Sequence, residues 1–289
     1  MEVDDANPEI RAVTAARRVR ASGPILILAV LFVVGAFLTW YFTWFGRSLS
    51  DADIAQYLVD EKHPRRVQHA LLQIQHRIEN GDATAKQFYP QVITLASHSE
   101  TEFRLTVAWL MGFDNKSNEF HQTLLKLLKD PQPIVRRNAA LALVRFNDGS
   151  GRSELLAVLQ PYEIKSPVDG TVGSILPVGS EVARGSLVGR VNTANGLIEV
   201  RSPLPGRIER VNSVVGSTVT PQTTLMTVVS DEDSVWEVLR GLAFIGGPED
   251  LQLIESYAQA SSQANRIRQQ ASATADAIRR RASQIETKQ

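Results

Sequence analysis

Between Ile164 and Val191 the chain reads IKSPVDGTVGSILPVGSEVARGSLVGRV, and from Val200 it says nearly the same thing again, VRSPLPGRIERVNSVVGSTVTPQTTLMTVV. Ser166 aligns with Ser202, Pro167 with Pro203, Gly170 with Gly206 and Val172 with Ile208. After one inserted residue, Gly179 aligns with Gly216 and Val182 with Val219. Short runs of Val, Ile and Thr broken by Gly and Pro are strand signals. Each half therefore reads as strand, turn, strand, tight turn and a further strand pair, with the second glycine supplying a positive φ. A hairpin unit alone is marginally stable. The two halves are expected to interlock about a pseudo-twofold axis and close a small flattened barrel over residues 161–230.

The run PILILAVLFVVGAFLTWYFTWF, Pro24 to Phe45, is 22 residues without a charge. About 20 apolar residues cover a bilayer core, and amphipathic rings such as Trp40, Tyr41 and Trp44 favour the headgroup layer. The sequence thus predicts an uncleaved transmembrane anchor over 23–46. Arg11, Arg17, Arg18 and Arg20 precede it, whereas only Arg47 closely follows. By the positive-inside rule the tail 1–22 is cytoplasmic and the remainder extracytoplasmic. That places the chain as a single-pass protein of a bacterial inner membrane with a periplasmic body.

Residues 51–150 carry apolar positions at helical spacing, as in VQHALLQIQHRI and FRLTVAWLM. Val67-Gln68, Phe103-Arg104 and Val135-Arg136 start segments that align on one frame, at intervals of 36 and 32 residues. In TLLKLLKDPQPIVRRNAALALVRFND, Asp130-Pro131 closes one helix, Pro133 opens the next, and Ala139, Ala140 and Ala142 allow close approach. This unit resembles a HEAT or armadillo-like repeat, a family whose stacked helices present surfaces to protein partners. SVWEVLRGLAFIG (234–246) and ANRIRQQASATADAIRRRAS (264–283) return to the same frame, so residues 233–285 read as further HEAT-like helices and the β segment as an insertion. The fold class expected is multidomain α+β: one membrane helix, HEAT-like repeats and an inserted all-β module.

The doubled segment resembles the biotinyl/lipoyl barrel-sandwich hybrid, which serves either as a cofactor carrier or in membrane-fusion adaptors. A carrier needs a lysine at the hairpin joining its halves. Here that hairpin is RVNTANGLIEV, residues 190–200, with Asn195-Gly196 at its turn and no lysine. Lys165, the only lysine between 130 and 287, stands at the far end. No covalent cofactor is therefore expected. An N-terminal anchor followed by this module is similar to periplasmic adaptors of the hemolysin-secretion and multidrug-efflux type. The chain departs from them in lacking a long coiled-coil hairpin between the halves and a following β-barrel.

Lys plus Arg equals Asp plus Glu, 31 of each, which argues against a nucleic-acid binder. There is no cysteine, and the five histidines (63, 69, 76, 98 and 121) form no metal-ligand pattern. No nucleophile motif or phosphate loop is present, and Asp231, Glu232 and Asp233 read as a solvated boundary. The sequence thus points to a non-enzymatic, membrane-anchored adaptor or scaffold, without cofactor or metal. The alternative is an accessory structural subunit of a respiratory or photosynthetic membrane complex. The partner classes are the bilayer, an integral membrane or transporter complex, and a second copy of the chain. Asn195, Gly196, Arg136 and Arg137 are the candidate partner-binding residues.

Overall fold

The computed structural model describes residues 23–40 and 48–286, in two compact units that divide after Ser48. The first contains one helix, α1 (Gly23–Trp40), whose apolar side chains are exposed. Its 18 residues span about 27 Å at 1.5 Å per residue, whereas a bilayer core is roughly 30 Å thick. Among the described residues no helix is long and apolar enough to cross a membrane. This corrects the predicted anchor over 23–46. With it fall the single-pass inner-membrane assignment and the periplasmic body. Hydropathy counted apolar residues through Phe45, but the described helix ends at Trp40. Tyr41, Trp44, Arg47, the tail 1–22 and the side chain of Trp40 lie outside the described residues.

The second unit begins with helices in pairs: α2 (Asp51–Leu58) with α3 (Pro64–Glu79), α4 (Tyr89–Leu95) with α5 (Thr101–Met111), and α6 (Asn118–Leu127) with α7 (Pro133–Arg145). Local chemistry sets their ends. Ser50 and Asp53 form a reciprocal capping box on α2, Ser117 caps α6, and prolines occupy the first turns of α3 and α7, where no amide hydrogen is needed. Later come α8 (Arg152–Val158), α9 (Glu232–Ile245), α10 (Leu251–Gln259) and α11 (Asn265–Glu286). The helices α3, α5, α7, α9 and α11 pack in succession to form one layer. Their shared frame is buried throughout: Val67, Phe103, Val135, Val235 and Ile267 begin it, and Leu71, Val107, Ala139, Leu239 and Ala271 follow four residues on.

The chain leaves this array after α8 and re-enters at α9, yet α8 and α9 pack against each other. Leu155, Val158 and Leu159 share one core with Val238, Leu239 and Leu242. The β module therefore occupies the link between the two helices of a fourth pair, and it has a hydrophobic core of its own. The last helix runs past Arg279, Arg280 and Arg281 to Glu286. Arg281 donates to the carbonyls of Ala243 and Gly246, at the C-terminus of α9.

The module has eight strands: β1 (Tyr162–Lys165), β2 (Gly170–Ile175), β3 (Glu181–Val182), β4 (Leu187–Thr193), β5 (Gly196–Arg201), β6 (Gly206–Val211), β7 (Thr218–Val219) and β8 (Thr224–Ser230). They form two four-stranded sheets, ordered β1-β8-β6-β3 and β5-β4-β2-β7. Exchanging the halves, β1 for β5 through β4 for β8, converts one sheet order into the other. The register repeats as well: Val172 faces Val191 as Ile208 faces Val228, and each pairing is followed by an irregularity. The amide of Gly179 donates to Ile208 O at 2.8 Å, and that of Gly216 to Val172 O at 2.8 Å. Both glycines are left-handed, with φ of +87° and +91°.

The flattened barrel expected from the repeat does not close. The two sheets are open, so the biotinyl/lipoyl-like barrel-sandwich assignment is corrected to a β-rich domain of two open sheets. The physical reason lies at the edges. β3 and β7 are two residues long, too short to extend a ladder beyond β6 and β2, while β1 and β5 each pair on one side only.

Candidate protein-docking surfaces

The candidate partner-binding residues fall into two places. Asn195 and Gly196 form the exposed turn between β4 and β5, where Gly196 adopts φ +120° and Thr193 Oγ1 donates to its carbonyl at 2.8 Å. Arg136 and Arg137 lie on the first turn of α7 and line a cleft against the β module that the turn does not reach. Adjacent in sequence, these arginines do different work. Arg136 caps the preceding turn through Nη1 to Asp130 O (3.0 Å) and Pro131 O (3.3 Å), and its Nε donates to Glu154 Oε1 at 3.0 Å.

Thirty-two residues earlier, Arg104 does the same thing more deeply. Its Nη1 donates to His98 O and Ser99 O, both at 2.8 Å, and its Nε and Nη2 form a fork on Asp130 at 2.7 and 3.1 Å. The hydrogen bonds to Asp130 raise the Arg104 pKa against the opposing effect of burial. Burial pushes Asp130 up, but the donors Arg104 and Gln132 N more than offset it, leaving the carboxyl below its ordinary value. These arginines are a ladder joining one helical unit to the next.

Arg137 points the other way. It is 6% exposed, and among the described residues its one hydrogen bond runs from Nη1 to Ser234 Oγ at 3.2 Å. Burial pulls its pKa down, and the charges of Asp231 and Glu154 only partly compensate. Tyr162 closes the cleft, its hydroxyl held by Ser202 Oγ (3.0 Å) and Leu204 O (2.9 Å) and its pKa raised by burial.

The larger surface was not foreseen from the sequence. On the exposed side of the inner helices, Leu72, Leu105, Trp109 and Ile134 face a cavity of about 630 Å³ bounded by Ala183, Arg184 and Pro205 of the β module. Trp109 and Asn138 also line its continuation, of about 210 Å³, with Leu141 and Phe244. Trp109 is 39% and Phe244 65% exposed. Arg145 stacks over Phe113 at 4.3 Å and Arg240 over Trp236 at 4.7 Å, so two cations rim the second part. Arg184 forms an ion pair with Glu102 at the other end. A signal existed: Leu105 and Trp109 lie four apart, on a helix face that the buried frame Phe103–Val107 leaves outward.

Among the described residues no group of three or more His, Asp or Glu stands together as a metal site. The family model that matches this chain is that of HEAT repeats, over residues 89–164. The match covers α4 through α8, so the chain contains HEAT repeats, and protein–protein interaction is what such repeats serve in general. No curated protein matches the chain. Among solved structures, a single-chain, multi-domain long-chain acyl-CoA carboxylase is similar at 17% identity and a TM-score of 0.24. The likeness covers 30% of this chain and 10% of that one, so the chain spans about a tenth of the carboxylase's length. At that level it places neither fold nor activity. The resemblance to hemolysin-secretion and efflux adaptors does not hold: the described residues have neither a spanning helix nor a closed barrel, and the family match falls on the helices.

Proposed function

We propose that this chain is a non-enzymatic scaffold that holds a protein partner in the groove along α3, α5, α7 and α9. The observation that carries the reading is the groove itself. Exposed large apolar groups scattered singly need no explanation, but a contiguous strip rimmed by cations is the composition of a recognition site. Trp, Phe and Arg are the groups on which interface energy concentrates. The β module, held against α5 by the Arg184–Glu102 ion pair, walls one end and fixes the partner's position.

The test is purification of the native full-length protein with its neighbours, alongside Trp109→Ala and Phe244→Glu variants. A single partner is expected at fixed stoichiometry, with affinity reduced about tenfold or more by either substitution, as for a hot-spot residue. Phe244 is 65% exposed, so its substitution leaves the thermal midpoint in place. Retention of the partner by both variants, or turnover of a substrate by the purified chain, overturns the proposal.

A further inference from the structure

α7 presents two faces with different surroundings. Ile134, Asn138, Leu141 and Arg145, spaced four, three and four, line the docking groove. Pro133, Arg136 and Arg137 line a separate cavity of about 260 Å³ between α7, α8 and the β module. The two share no lining residue.

Arg137 is the anomaly in that second cavity. A buried guanidinium carries five donors and a charge that is costly to remove from water without a counterion. Arg104 and Arg152 each have one: Arg104 grips Asp130, and Arg152 grips Asp250 with contacts of 2.7 and 2.6 Å. Arg137 has the neutral Ser234 hydroxyl instead, and among the described residues it forms no ion pair. The acids nearby turn their hydrogen bonds elsewhere. Asp231 accepts from Ser234 N at 3.0 Å and Ser234 Oγ at 2.8 Å, capping α9, and Glu154 accepts from Arg136.

The geometry points to a binding site here for a monocarboxylate with a short apolar body, gripped by the free donors of Arg137. A planar fork matches a carboxylate in two parallel bonds. Glu154 and Glu163 in the lining repel a dianion such as phosphate more strongly than the single charge of a carboxylate. The remaining wall is apolar, from Pro133, Ala157, Val158, Pro203 and Leu204, and suits a branched aliphatic group. The C-terminal residue of a peptide and a free branched-chain acid both have this chemistry.

Titration of the full chain with isovalerate, N-acetylleucine and N-acetylleucinamide, followed by calorimetry, separates these sources. Saturable binding of both acids but not the amide is expected. Binding of N-acetylleucine alone identifies a peptide terminus, and binding of isovalerate alone a free acid; either supports the site. Arg137→Gln is expected to weaken the acids about tenfold or more, the loss of a bidentate charged contact. Arg137→Lys, which keeps the charge without the fork, provides the same comparison if the first variant does not fold. Trp109→Ala leaves this binding unchanged, so failure of the groove proposal and failure of this one are told apart. Equal binding of acid and amide, absence of saturation by roughly 50 mM acid, or undiminished binding by both Arg137 variants overturns it.

Discussion

Asp130→Asn isolates the strongest joint in the helical array. Asp130 and Arg104 are 5% and 11% exposed at their side chains and are joined at 2.7 Å. The substitution removes the negative charge but keeps one carbonyl oxygen, which can still accept from Gln132 N, now at 2.8 Å from the carboxylate. Arg104 retains its contacts to His98 O and Ser99 O and loses its counterion. Breaking a buried pair by removing one partner costs about 3–5 kcal/mol. The retained oxygen places Asp130→Asn near the lower end, about 3 kcal/mol, with Asp130→Ala higher because the Gln132 amide is also orphaned. For a unit of this size that is a fall in Tm of about 6–12 °C. Guanidinium unfolding followed by tryptophan fluorescence reads it, and Arg104→Met/Asp130→Asn completes the cycle. The double variant should recover much of the loss, since Met and Asn leave no unpaired charge. The pH dependence has a fixed sign. The folded carboxyl lies below its unfolded value of about 3.9, so its contribution is complete above that pH and is lost as pH falls through the folded value. The wild-type advantage over Asp130→Asn should therefore be flat near neutrality and shrink only in acid. A cost under about 1 kcal/mol, or strictly additive single substitutions, refutes the reasoning.

Two further predictions concern the β module. A Cβ built on Gly206 falls 2.2 Å from Val229 O, and one on Gly170 falls 2.4 Å from Asn192 O, both backbone atoms that cannot turn aside. Gly206→Ala and Gly170→Ala should each cost about 1–3 kcal/mol through forced strand separation, read as a lower urea midpoint; an unchanged midpoint in either refutes the equivalence of the halves. Replacing Tyr162–Ser230 by a flexible linker should leave the helices folded, because the core shared by α8 and α9 contains no β-module residue. Circular dichroism is expected to show full helical signal with one cooperative transition, and melting of α9 through α11 in the excised chain counts against the insertion.

The two repeats were legible because burial enforces them. Every frame position from Val67 to Ala271 is inside, and a polar substitution at any of them would leave an unmet desolvation cost. The doubled β segment was legible for a backbone reason instead: two glycines in left-handed turns and two at close backbone approaches are demands that few residues satisfy. Closure was not legible, since whether sheets join depends on the length of their last strands, and Glu181–Val182 and Thr218–Val219 look no different in sequence from the start of a longer run. The apolar stretch from Pro24 misled through a related gap, because hydropathy sums composition over the whole stretch, whereas the helix among the described residues is 18 residues long.

The candidate site shows most clearly where sequence runs out. Arg136 and Arg137 are the same residue type at adjacent positions, and no periodicity argument ranks one above the other. A helix turns 100° per residue, so one step carries the second guanidinium from the ladder, where Glu154 and two turn carbonyls await it, to a wall formed by Tyr162 and Ser234. Both of those residues come from beyond α8, and Ser234 returns only after the whole β module. The inserted module and α9 together thus give the two faces of α7 different surroundings. One face stays open as a groove, with Arg145 and Trp109, and the other is roofed over an arginine that forms no ion pair among the described residues. A plain helical repeat exposes such an arginine to water, where it needs no partner; this fold buries it, and so creates the demand for one.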